Sequence, residues 1–160
     1  MAKFLLYFIG GMLLFYLFYY SPLYERYFMP GLLNIQARLS SILLSFIGEK
    51  TTVEGDNIIG DTFKVSIHGG CDGLEATALY IVAMLALPLI SLKEKLPALG
   101  YGLLILSVLN IFRIALLYYS GLYWPKAFEF LHLHGGVIIF MMISVLLWLI
   151  WVNKLLKNRK

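Results

Sequence analysis

Apolar positions run in long blocks along this chain, and the breaks between the blocks are where its polar residues collect. Four blocks, Phe4 to Tyr20, Leu74 to Leu92, Leu96 to Tyr119 and Leu131 to Val152, each approach the roughly 20 residues that a helix needs to cross a hydrocarbon core. Residues 31–48 differ, because Asn34, Gln36, Arg38, Ser40, Ser41 and Ser45 interrupt Leu32, Leu33, Ile35, Leu39, Leu43, Leu44 and Ile47. That pattern predicts an amphipathic helix at the interface or against the bundle. From Thr51 to Ile67, short alternating runs around Gly55-Asp56 and Gly60-Asp61 predict a small extracytoplasmic β-hairpin or two short strands. Ser120 to Phe130 reads as a second outer loop, with Tyr123 and Trp124 as interfacial anchors. The predicted fold class is an all-α polytopic membrane protein with about four transmembrane helices, an amphipathic helix and a β-hairpin.

Composition agrees, since 61% of residues are hydrophobic, 14% are charged and the mean hydropathy is +0.82. That is more apolar surface than a soluble domain of this length can bury. The net charge of +4 does not signal a nucleic-acid partner, because the basic residues form no patch interleaved with aromatics. They sit at Lys3, at Lys93 and Lys95, and at Lys154, Lys157, Arg159 and Lys160, a distribution that places both termini in the cytoplasm under the positive-inside rule. The aromatics before Ser21-Pro22 argue against a cleavage site and for an uncleaved anchor. No internal repeat breaks the chain, which reads as one domain over 1–160. It divides into an N-terminal anchor, amphipathic helix and hairpin (1–62), a core (63–152) and a basic tail (153–160).

Three residues are costly where they stand. Cys71 is the sole cysteine, so it is either packing or chemistry rather than an internal disulfide. Arg113 lies within an apolar run, six residues and roughly 9 Å before Tyr119. A charge at such depth either snorkels or marks a functional site. His132 opens the last apolar block, with His134 close by. The expected topology brings all three to one leaflet. Asn110, one helical turn before Arg113, is placed to orient its guanidinium.

The elements Cys71-Asp72-Gly73-Leu74, Asn110-Ile111-Phe112-Arg113, and His132 followed by Gly136 and Phe140 resemble the exosortase/archaeosortase family of membrane transpeptidases. That family carries Cys-x-Gly, Asn-x-x-Arg and a His with Gly four residues on, in this order. The resemblance covers 63–152, with 1–62 alike only in layout. It implies Cys71, Arg113 and His132 as catalytic residues, with Asn110, Gly73 and His134 in support. Cys71 would form a thioacyl enzyme, His132 would act as general base and acid, and Arg113 would favour the thiolate or the oxyanion. Counted to Gly136 and Phe140, the family spacing selects His132 over His134.

The family more usually has a small hydroxyl residue at the position of Asp72, and an acid there raises the thiol pKa, so Asp72 is expected to point away or pair elsewhere. Gly69, Gly70 and Gly73 suit either a close substrate strand or a plain hairpin exit, and Glu75 reads as a helix-start charge. By resemblance the reaction needs no cofactor. Its partners would be secreted proteins with a C-terminal sorting tail, membrane lipids, and a lipid or glycan acceptor, with no nucleic acid. Two other classes stay open on the residues alone. One is a zinc or copper site from His68, Cys71, His132 and His134, against which Arg113 would repel the cation. The other is a non-enzymatic assembly factor whose polar residues merely pair.

Overall fold

The computed structural model describes residues 2–68, 70–88 and 90–157, without the side chains of Leu133 and His134. Gly69, Arg159, Lys160 and the His134 side chain, all singled out above, lie outside the described residues. Helix α1 (Ala2–Tyr19) is apolar all round and buries none of its residues, as suits a helix facing lipid. A π turn, Tyr24–Phe28, leads into α2 (Met29–Phe46), whose buried Leu33, Ala37, Ser40 and Leu44 recur along one stripe. This is the amphipathic helix that the polar interruptions predict. In place of a hairpin the chain builds a three-stranded antiparallel meander, β1 (Thr52–Glu54), β2 (Asn57–Ile59) and β3 (Lys64–Ser66). The Gly60-Asp61 punctuation turns the third strand back onto the second, pairing Ile59 with Lys64.

Helices α3 (Leu74–Leu85), α4 (Leu92–Tyr123), α5 (Pro125–Phe130) and α6 (Gly136–Lys157) complete the chain. Of the four expected spans, α1, α4 and α6 are long and apolar enough to cross a membrane, whereas α3 has only 12 residues. Pro88 accounts for the difference: its ring disfavours helical backbone at the preceding residue and it offers no N–H, so the helix stops at Leu85. The outer loop also differs. Helix α4 continues to Tyr123, the backbone turns at Trp124 (φ −138°), and Pro125 at the first helical position starts α5. A π turn, Leu131–Gly135, joins α5 to α6, so His132 lies in that turn and not at the start of a regular span.

Contacts fix the direction of each helix. Tyr19 at the end of α1 reaches Asp72 beside α3, while Phe4 at its start meets Trp148 of α6. Tyr101 near the start of α4 stacks on Trp151, and Arg113 farther along reaches Gly70. Lys3, Lys95, Lys154 and Lys157 thus share the pole opposite Cys71. One core joins α2, the sheet, Cys71 and the end of α4. A second joins Ala76, Tyr80 and Met84 of α3 to Ala98 and Leu106 of α4 and Phe140 of α6. Ser144 Oγ donates to Ala76 O at 2.6 Å, a polar tie between otherwise apolar helices.

The early end of α3 exposes carbonyls that Lys95 satisfies. Its ammonium donates to Leu85 O at 2.9 Å and Leu87 O at 2.7 Å, and the residue is buried. A cation at a helix C-terminus is favoured there by the helix dipole. Replacing Lys95 by Met keeps the apolar stem and removes both bonds, so the variant is expected to lose about 2–3 kcal/mol of stability. Thermal unfolding in detergent checks this, and an unchanged midpoint would mean the Lys95 bonds are dispensable.

Candidate active site

The segment after β3 forms a tight turn in which the Cys71 N–H donates to His68 O at 2.9 Å. Gly73 caps α3 in the left-handed region at φ +72°. A Cβ at that position would lie 2.7 Å from Asn110 Oδ1 and 3.0 Å from Phe140, so conformation and space both require glycine. Between them Asp72 is gripped from four elements. Its carboxylate accepts from the Tyr19 hydroxyl at 2.9 Å and from the Leu74 N–H at 3.1 Å. Its carbonyl accepts from Gln36 at 2.8 Å and Asn110 at 2.9 Å. Asp72 therefore pairs elsewhere, as its place beside the thiol led us to expect. Asn110 does not orient Arg113; its amide donor goes to the Asp72 carbonyl, which lies closer to α4 than sequence spacing discloses.

The π turn carries the imidazole to the thiol, with His132 Nδ1 3.7 Å from Cys71 Sγ, within hydrogen-bonding range for sulfur. Cys71 itself is buried. Arg113 turns inward to donate from Nη2 to Gly70 O at 2.9 Å, and its guanidinium carbon sits 5.6 Å from the centre of the Phe140 ring. Gly136 makes room, because a Cβ there would come within 3.1 Å of Arg113 Nε. That Nε–H is buried and has no hydrogen-bond partner among the described residues. Arg113 also lines two spaces. One, of about 10 Å³ beside Gly70, Gly73, Glu75 and Phe140, has room for roughly one water. The other is a mostly apolar groove of about 360 Å³ between α4 and α6. Cys71, Arg113 and His132 thus come to one end of the bundle, Arg113 through the residue next to Cys71.

Burial pushes the Cys71 thiol above its ordinary range; Arg113 pulls it down and Asp72 pushes it up. Asp72 is itself raised by burial, against which the Leu74 N–H, the Tyr19 hydroxyl and Arg113 favour its ionised form. Burial and the Asp72 charge thus favour the protonated thiol, and Arg113 opposes them.

Elsewhere the predicted residues separate. The His68 ring is exposed and turns to Ser66 Oγ at 2.9 Å and Asp56 at 3.3 Å. Among the described residues no group of three His, Cys, Asp or Glu side chains is placed to hold a metal ion. Glu75 stands in the first turn of α3. Tyr19, Gln36 and Phe128, whose ring stacks on His132 at 5.1 Å, reach the site without a motif to announce them. Gln36 alone left a trace, as a polar interruption in an apolar helix.

A buried thiol with an imidazole in reach and an arginine beside it is set here on a bundle with three helices apolar enough to cross a membrane. The family model for transmembrane exosortases matches residues 3–149, and the chain belongs to that family, in general one of membrane cysteine transpeptidases. The match extends well before residue 63, where the motif resemblance began. No curated protein and no solved structure matches the chain.

Asp72→Ser offers a test of the electrostatics. The serine hydroxyl can still accept from the Leu74 N–H, while the negative charge that raises the thiol is gone. The pH midpoint for alkylation of Cys71, the sole thiol, is expected to fall relative to wild type. A midpoint that stays put or rises would show that the Asp72 charge does not act on the thiol.

Proposed function

We propose that this exosortase-family protein is a membrane-embedded cysteine transpeptidase in which Cys71 is the nucleophile. The observation that carries the reading is the 3.7 Å approach of His132 Nδ1 to Cys71 Sγ, with Arg113 bonded to the neighbouring Gly70 carbonyl. His132 takes the thiol proton, and the sulfur attacks the scissile carbonyl of the substrate. Collapse of the tetrahedral intermediate breaks the C–N bond; His132 returns the proton to the leaving amine, and a thioacyl enzyme remains. An acceptor nucleophile, water or a lipid or glycan group, then gives its proton to His132 and attacks the thioacyl carbonyl; the C–S bond breaks, the acyl group leaves on the acceptor, and His132 returns the proton to the Cys71 sulfur. Arg113 stabilises the oxyanion in both steps, and its unpartnered Nε–H and water-poor setting support that role.

The substrates in this reading are secreted proteins with a C-terminal sorting tail. The protein sits in the cytoplasmic membrane with its site facing outward, because Lys3, Lys95, Lys154 and Lys157 flank the apolar helices at the opposite pole. Reporter fusions at Lys95 and Lys160 are expected to give cytoplasmic signals, and an external signal at either overturns the orientation. Cys71→Ser is expected to abolish processing of a co-expressed tailed substrate. Arg113→Lys keeps the charge and loses the planar fork, so turnover is expected to fall by on the order of 10² in folded protein. Near wild-type processing by that variant would remove the electrostatic role.

A further inference from the structure

His132 contacts Cys71 through Nδ1, and no described residue hydrogen-bonds its other ring nitrogen. Nucleophile and base pairs generally rely on a third group to orient the base. The polar groups nearby do not reach it, and the buried amide oxygens of Gln36 and Asn110 bond to no described residue. The Asp72 carboxylate is held by Tyr19 and Leu74, and the donors of Gln36 and Asn110 both go to the Asp72 carbonyl. What does bear on the imidazole is Phe128 of α5, stacked on it with centroids 5.1 Å apart and planes 11° from parallel.

Phe128 is itself anchored. Its ring meets Phe63 nearly edge-on at 5.7 Å, and Phe63 meets Tyr118 edge-on at 5.6 Å. Tyr118 is fully enclosed in the core that also holds Cys71. A row of rings therefore runs from the interior of α4, past the sheet, to the face of His132. Stacking fixes the plane of a ring while leaving both nitrogens open. A ring held in this way can still receive a proton at one step and return it at another.

We propose that Phe128 is the positioning residue for His132, its ring standing in for a third hydrogen-bonding group and holding Nδ1 against Cys71 Sγ. The proposal rests on the reading of Cys71 and His132 as nucleophile and base. The charged groups around the pair are Arg113 from α4, Asp72 from the nucleophile turn and Glu75 from the start of α3, with His68 after β3 and Lys126 and Glu129 of α5 solvent-exposed. None of these is altered by changing Phe128.

The test is the rate of Cys71 modification by methyl methanethiosulfonate from pH 7 to pH 10, on the full chain in detergent. Wild type, Phe128→Leu, Phe128→Tyr and His132→Ala are compared. Phe128→Leu is expected to react about tenfold more slowly than wild type at pH 7, with the gap narrowing as pH rises, because hydroxide increasingly takes the proton in place of the base. Phe128→Tyr keeps the ring face and is expected to stay within about threefold of wild type throughout. If the Leu variant does not give folded protein, Phe128→Met carries the same expectation. Wild-type reactivity of the Leu or Met variant at pH 7 overturns the proposal, as does a gap from wild type that stays constant from pH 7 to pH 10 or a Tyr variant as slow as Leu. A His132→Ala profile equal to wild type overturns the underlying reading of the pair instead.

Discussion

The structure depends on the grip around Asp72. Its carbonyl accepts from α2 and α4, and its carboxylate accepts from α1 and from the first N–H of α3. Each bond contributes only about 1 kcal/mol net, yet each is made by a group in an apolar setting where an unmade bond costs more. Four helices are thereby tied at one peptide, next to the thiol. The helices otherwise meet through apolar surfaces, which in lipid supply little direction of their own. A polar knot fixes which ends of the helices come together, and so fixes the place of Cys71.

The same knot carries an electrostatic cost for the nucleophile. A carboxylate beside a buried thiol opposes its ionisation, and burial acts in the same sense; only Arg113 works against them. A protein that needed a standing thiolate would not place an acid there. The arrangement suits general-base catalysis, in which the proton leaves as the sulfur attacks, and the Arg113 charge then acts where negative charge develops. Under the proposed mechanism the orientation of His132 is the limiting geometry, and the aromatic face stacked on it adds no charge.

Much of this was legible in the sequence where a single physical rule governs. Hydrophobic blocks marked α1, α4 and α6, and the polar interruptions marked α2 to within two residues at each end. The expense of Cys71, Arg113 and His132 pointed to one end of the bundle, and the structure puts them there. What escaped depended on competition between rules. Leu74 to Leu92 is apolar throughout, but Pro88 outweighs hydropathy locally and leaves α3 with 12 residues. Trp124-Pro125 looked like a loop, whereas proline at a first helical position starts a helix as readily as it ends one. The partners of Asp72 could not be read at all, because Tyr19 and Gln36 lie 53 and 36 residues away from it.

The family match begins at residue 3, and the distant partners of Asp72 lie within it, ahead of the chemical motifs. A catalytic half made of α3, α4 and α6 alone would leave the Asp72 carboxylate without Tyr19 and its carbonyl with only Asn110. The freed carboxylate would stay beside the thiol with its charge less well satisfied, and the turn would lose the donor from α2. The N-terminal segment holds no candidate nucleophile or base. What it does for the site is done through Asp72: Tyr19 and Gln36 turn an acid beside the thiol into the post to which the loop that carries Cys71 is tied.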